Sequence, residues 1–153
     1  LLGGFVGLTI AVTISKSIPN IIVATLVVAL STNMMNLFGL RPGRAIKVYT
    51  ILAIIIFIAS AKFQREVMML ILPAVLAYFY FDLRALTMMG DAGSNVLGVS
   101  LGVFIVSSFG LAVQVVCLIL LVLIHILTEK FSLTKIIENN KFLNYLDRLG
   151  RGL

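Results

Sequence analysis

The residues of this chain best suited to chemistry lie close together: Met88-Met89-Gly90-Asp91-Ala92-Gly93-Ser94. Asp91 is the only acid between Asp82 and Glu129, and Gly90, Ala92, Gly93 and Ser94 around it are all small. Small residues let a backbone turn tightly and approach a ligand closely. A carboxylate on such a turn suits a hard divalent cation whose remaining ligands are water and a substrate phosphate. The same pattern also suits a tight loop in which Asp91 or Ser94 caps the following helix.

A second polar group sits at the end of an apolar run, Ser31-Thr32-Asn33-Met34-Met35-Asn36-Leu37-Phe38. Asn33 and Asn36, three apart, share one face of a helix. Amides buried in lipid are costly unless paired. They serve either as hydrogen-bond glue between helices or as the polar floor of a site facing water. The chain continues through Gly39-Leu40-Arg41-Pro42-Gly43-Arg44-Ala45-Ile46-Lys47. Arg41 and Arg44 could grip phosphate oxygens, each in a two-pronged fashion, or could anchor the loop at a membrane surface. Anchoring accounts for the charge but not for Pro42 and Gly43, which stiffen the same loop.

The elements that position these groups are apolar. Of 153 residues 61% are hydrophobic and 12% charged, against about 45–50% and about 25% in soluble domains. That much apolar surface implies lipid as the solvent. Apolar segments run over 1–14, 21–38, 48–63, 67–81, 95–109 and 111–127. Several are shorter than the ~20 residues of an unaided span, but six in succession specify a membrane domain. The breaks are physically reasonable: Pro19 in one, Pro42 and Gly43 in the next, and Ser107-Ser108-Phe109-Gly110 as a hairpin. The expected fold is all-α, a polytopic transmembrane helix bundle of six membrane segments with an amphipathic helix at the C-terminus. Residues 1–128 make the bundle and 129–153 the tail, within one membrane domain. In the tail Leu133, Ile136, Ile137, Leu143, Leu146 and Leu149 recur at helical spacing, with Ser132 as N-cap and Gly150 as stop. This helix lies on the membrane surface or docks on the loops of the bundle. The GxxxG pair Gly3 and Gly7, and the stripe Ser94, Gly98 and Gly102, predict close helix packing.

Charge fixes orientation. With the end of the second segment inside, the inner loops and tail hold Arg41, Arg44, Lys47, Arg84, Lys130, Lys135, Lys141, Arg148 and Arg151, and the outer loops only Lys16, Lys62 and Arg65. This is the bias of the positive-inside rule. The net charge of +6 therefore speaks of topology and not of nucleic acid. Cys117 has no second cysteine to pair with, and His125 stands alone in an apolar run, so neither is assigned to a site. The chain opens on Leu1 without a basic segment and cleavage site, and is read as the C-terminal part of a longer protein.

Three stretches, NMMNLFGLRPGRA at 33–45, FDLRALTMMGDAGSNVLG at 81–98 and HILTEKFSLTKIIENNKFLNYLDRLGR at 125–151, resemble the polyprenyl-phosphate sugar-1-phosphate transferases. This membrane superfamily includes the phospho-MurNAc-pentapeptide translocase and the UDP-GlcNAc:undecaprenyl-phosphate GlcNAc-1-phosphate transferases. The likeness is greatest to a compact branch whose loop reads RPGRA. The resemblance implies a bundle of about ten membrane helices, each satisfying its own backbone, with a site on the cytoplasmic face. It implies Mg²⁺-dependent transfer of GlcNAc-1-phosphate or a MurNAc-type group from a UDP-sugar to undecaprenyl phosphate, with release of UMP. The work would belong to cell-wall or surface-glycan synthesis at the bacterial cytoplasmic membrane.

By the same resemblance Asp91 is the magnesium ligand and a catalytic residue, and Asn36 the catalytic second Asn of NxxN. Asn33, Arg41, Arg44, Asp82, Gly90, Gly93 and Ser94 are expected to bind substrate, Asp82 through a looser match to a uridine-side Asn. The partners implied are a UDP-sugar donor, a polyprenyl-phosphate acceptor and the lipid bilayer, with a homodimer left open and no nucleic acid. Two departures stand out. The family's early Asp-Asp pair is absent and would lie upstream of Leu1, and the acid it carries three residues after the second Asn is Gly39 here. Gly39 keeps alive a second reading, a non-catalytic relative or membrane scaffold. Together the two departures predict that these 153 residues alone do not catalyse transfer. A transporter would want charges along an intramembrane path, which the segments do not supply.

The charge bias predicts that a cysteine placed in the 39–47 loop reacts with an impermeant thiol reagent from the cytoplasmic side. Reaction only from outside the cell would overturn this topology.

Overall fold

The computed structural model describes residues 2–14, 17–87 and 89–150. Lys16, Met88 and Arg151, used in the readings above, lie outside the described residues. Eight helices follow one another among the described residues: α1 (Leu2–Ile14), α2 (Ile18–Phe38), α3 (Arg44–Ala59), α4 (Lys62–Leu83), α5 (Gly90–Ser108), α6 (Leu111–Lys130), α7 (Leu133–Asn139) and α8 (Lys141–Arg148).

The chain is a membrane protein by the length and composition of these helices. Ile18–Phe38, Arg65–Leu83, Gly90–Ser108 and Leu111–Lys130 are each long and apolar enough to cross a bilayer. The other two apolar helices are shorter than expected of full spans. With 13 and 16 residues, α1 and α3 extend only about 20 and 24 Å against a hydrocarbon core of about 30 Å. Large apolar side chains point outward all round, among them Ile55, Ile58, Leu70, Ile119 and Leu120. Only 11% of the α6 span is buried, against 44% of α5, so α6 presents most of its surface to lipid and α5 lies inside.

The core is the crossing of α2 and α5. These helices run antiparallel and meet through the predicted small-residue stripe. A Cβ at Gly98 would press on the Thr32 backbone and lie 2.8 Å from the Ser31 carbonyl oxygen, and one at Gly102 would lie 2.7 Å from the Val28 Cα. Nearer the end of α2, a Cβ at Gly39 would meet the Ser94 Cβ at 3.2 Å. The other predicted pair packs α1 against α2, with Gly3 against Thr32 and Gly7 against the Thr25 carbonyl. Between lipid-solvated helices there is little hydrophobic drive, so close van der Waals contact must supply the association. Glycine and serine make that contact possible.

The ends are tied differently. At one end Ser60 Oγ donates to Ser108 Oγ at 2.9 Å, joining the tops of α3 and α5. Gln114 Nε2 donates to the Val106 and Phe109 carbonyls and holds the α5–α6 hairpin. The loops after α2 and α4 and the tail after α6 gather at the other end. Their shared placement agrees with the parity read from the charges.

Two expectations about element ends change. The glycine-rich heptad is not a loop, since α5 starts at Gly90 and carries Asp91 in its first turn. Its cap position is Met89, with no side-chain cap, so neither Asp91 nor Ser94 is the cap. The tail is two helices instead of one. Ser132 does precede α7, without a side-chain hydrogen bond. The break comes at Asn140, whose Oδ1 accepts from the N–H groups of Phe142 and Leu143 at 3.0 and 3.1 Å and starts a new helix. Gly150, at φ +74°, follows the end of α8 as expected.

Gly98→Ala should drive the new methyl into the α2 backbone and cost about 1–3 kcal/mol or more, while Gly4→Ala, with open space around it, should not. Thermal unfolding in detergent checks this, and equal midpoints for the two variants would mean that the α2–α5 approach is loose.

Candidate functional site

Two loops meet where α2 ends and α5 begins, and one buried acid joins them. Asp82, 3% exposed, sits at the end of α4. Its Oδ2 accepts from the Gly43 N–H at 3.0 Å and its Oδ1 from the Met89 N–H at 3.3 Å. The carboxylate thus staples the 39–43 loop to the 84–89 loop. Gly43 is required for this. Its φ is +74°, a region that favours glycine, and an added Cβ would lie 2.7 Å from Leu83 Cδ2. The stiffness suggested by Pro42 and Gly43 therefore has a structural partner. Asp82, expected at the nucleotide, has both oxygens committed to backbone.

Arg44 is likewise engaged. Its Nε and Nη2 donate to the two carboxylate oxygens of Asp147 at 2.8 and 3.0 Å, and its Nη1 to Thr134 Oγ1 at 3.3 Å. Both side chains of the ion pair are buried, at 3% and 8% exposure. The fork geometry is the strong form of a carboxylate–guanidinium pair. Lys47, one turn further along α3, donates to the Leu146 and Asp147 carbonyls at 3.0 and 2.8 Å, where the last carbonyls of a helix want donors. Arg44 and Lys47 together fasten α8 to the bundle, which resolves the choice for the tail: it docks on the bundle. Asp147, Thr134 and Asn140 were not singled out from the sequence. Only Asn140 left a readable signal there, an Asn before a short amphipathic run.

The remaining expected residues divide as follows. Asn36, on α2, reaches α5: its Nδ2 donates to Asn95 Oδ1 at 2.7 Å, and its Oδ1 accepts a short hydrogen bond from Ser94 Oγ. Ser94 is buried and also lies 3.1 and 3.2 Å from the Gly90 and Asp91 carbonyls. Asp91, four residues before Asn95 and so on the same helix face, is exposed. Among the described residues its carboxylate has no ion pair or hydrogen bond. Arg41 pairs with Glu138 at 3.4 Å, each 46% exposed. Such a surface pair is worth about 0–1 kcal/mol, so Arg41 is easily redirected. Asn33 is exposed and makes no side-chain hydrogen bond among the described residues. Gly90, at φ +62°, lets the chain enter α5 after the loop. A Cβ at Gly93 would collide with the Met89 side chain, so its smallness serves packing.

As a metal site this is open. Among the described residues no three His, Cys, Asp or Glu side chains converge. Asp91 offers one carboxylate, which fits Mg²⁺ only if water and substrate phosphate complete the shell. His125 is remote in role: its Nδ1 lies 2.7 Å from the Leu121 carbonyl within α6.

Beside the loops, Phe38, Val48, Ile51, Phe79, Ile137 and Leu146 line an apolar cavity of about 760 Å³ between the ends of α2–α4 and the two tail helices. Arg44, Lys47 and Asp147 lie on its wall.

Comparison with protein-family models, with curated proteins and with solved structures finds no match to this chain.

Asp147→Ala would leave the Arg44 guanidinium buried without its counter-ion, a loss of about 3–5 kcal/mol. The expected result is release of α8 and faster tryptic cleavage at Lys141, with a smaller effect in Arg44→Met/Asp147→Leu. Unchanged cleavage in Asp147→Ala would show that the tail is held by its apolar contacts alone.

Proposed function

We propose that this chain carries the nucleotide-sugar end of a membrane transferase that moves a sugar-1-phosphate from a UDP-sugar to undecaprenyl phosphate. The single observation that carries the reading is the meeting of its two motif segments. Asn36 of the NxxN helix is hydrogen-bonded to Ser94 and Asn95 of the MGDAGSN segment, 58 and 59 residues away in sequence, with Asp91 on the same helix face. Nothing in the composition requires those segments to touch.

The chemistry sets the demand. A phosphate anion must attack a pyrophosphate, so both reactants are negative and the barrier is one of charge and alignment. Mg²⁺, when bound, neutralises that charge and orients the phosphates. Asp91 would hold it from the first turn of α5. Asn36 is held rigid at both ends of its amide and would orient the donor. Arg41 would leave Glu138 for a phosphate oxygen at little cost. The apolar cavity behind Arg44 suits the prenyl chain of the acceptor, and the site would face the cytoplasm.

A second reading, a non-catalytic membrane scaffold, has its own support. Two of the charged residues expected to bind substrate, Asp82 and Arg44, are spent on structure.

The same assay separates the two readings. In membranes carrying the full-length protein, Mg²⁺, UDP-GlcNAc and undecaprenyl phosphate should give lipid-linked sugar and exchange labelled UMP, whereas residues 1–153 alone should not. Asp91→Asn should insert normally and lose exchange by about 10²-fold, the scale of removing one group that stabilises developing charge. Wild-type exchange in Asp91→Asn would exclude Asp91 as the metal ligand, and no exchange in the full-length parent would favour the scaffold.

A further inference from the structure

Asn95 has no assigned role, yet it completes the only side-chain network that links α2 and α5 at this end among the described residues. Its Oδ1 accepts from Asn36 Nδ2 at 2.7 Å. The other end of the Asn36 amide is taken by the Ser94 hydroxyl. This uses the carbonyl oxygens of both amides and one of their four N–H hydrogens. One N–H of Asn36 and both of Asn95 take no acceptor among the described residues. Both side chains are half-buried and reachable from outside. The pair therefore offers three N–H donors, with the exposed carboxylate of Asp91 one turn earlier on the same face of α5.

We propose that Asn95 contacts substrate, and that the Asn36–Asn95 pair binds the oxyanion of a magnesium-complexed diphosphate. A bare anion would be repelled by Asp91, and a bare cation would find no use for three N–H donors. A metal-bound phosphate matches both halves, with its cation on the carboxylate and its oxygens on the amides. The inference rests on the transferase reading for its substrate class. It goes beyond that reading in naming a donor residue and in assigning a direction to the amide pair.

Asn95→Asp isolates the donor role from the structural one. The carboxylate still accepts from Asn36 Nδ2, so the α2–α5 bond survives. Both N–H groups are lost and a negative charge faces the phosphate. Purified full-length protein in detergent is titrated with magnesium pyrophosphate by calorimetry, alongside thermal unfolding and UMP exchange. The expected result is an unfolding midpoint near that of the parent, at least a 10-fold loss of pyrophosphate affinity, and a raised KM for UDP-GlcNAc that exceeds any fall in kcat. Asn95→Gln, which keeps the donors at a longer reach, should recover part of the affinity. Parent-like affinity in Asn95→Asp would overturn the proposal and leave Asn95 as helix glue, whether or not exchange occurs. Pyrophosphate binding that depends on Asn95, without UMP exchange by the full-length parent, would sustain the anion site and remove the transferase reading. A parent chain that binds no magnesium pyrophosphate would overturn the proposal outright.

Discussion

The approach of α2 to α5 at Thr32 and Gly98 is the constraint on which the rest depends. Two backbones come so near there that a single methyl group has no room. In water such contact would be reinforced by expulsion of solvent from apolar surface. In lipid it must be won from dispersion and from backbone proximity. The crossing also sets the register of everything beyond it. Once Val28 faces Gly102 and Thr32 faces Gly98, the next turn brings Asn36 to Ser94 and Asn95. A polar cluster thus forms at the end of the bundle as a consequence of packing in its middle.

At that end structure and chemistry compete for the same side chains. Asp82 closes two loops with one carboxylate, and Arg44 fastens the tail with one guanidinium. Both are buried, and both have their hydrogen-bonding capacity directed inward. What remains for a ligand is the less encumbered set: Asp91, the amides of Asn36 and Asn95, and Arg41 in a weak surface pair. The division follows burial. A charge in the interior must be compensated at once by a fixed partner, whereas an exposed one can exchange water or a loose partner for substrate.

Much of this was legible in the sequence, for identifiable reasons. The six apolar segments were readable because burial in lipid leaves a continuous run, although α1 and α3 are too short to cross unaided. The glycine stripes were readable because close packing leaves a four-residue period. The shared placement of the loops followed from counting basic residues. Four features were not legible. The break at Asn140 was hidden because the apolar spacing continues across it, and only the capping geometry shows the stop. The role of Asp82 depends on two backbone N–H groups, and backbone donors leave no trace in side-chain patterns. The Arg44–Asp147 pair spans 103 positions, and no local period records such a partner. Asn95 fell inside an apolar segment and was read as its first residue. Only the crossing shows which face it occupies.

That same separation bears on how the protein is made. The ribosome adds about 5–20 residues per second, so Arg44 leaves it roughly 5–20 s before Asp147 exists to neutralise it. During that interval the guanidinium stands at the end of a membrane helix without its final counter-ion, and Lys47 without the carbonyls it later caps. Water, lipid headgroups or the insertion machinery must hold both cations meanwhile. The pair therefore closes only after every helix that it fastens has been made. A nascent chain halted before residue 147 would carry an unmatched positive charge where the longer chain carries a closed ion pair.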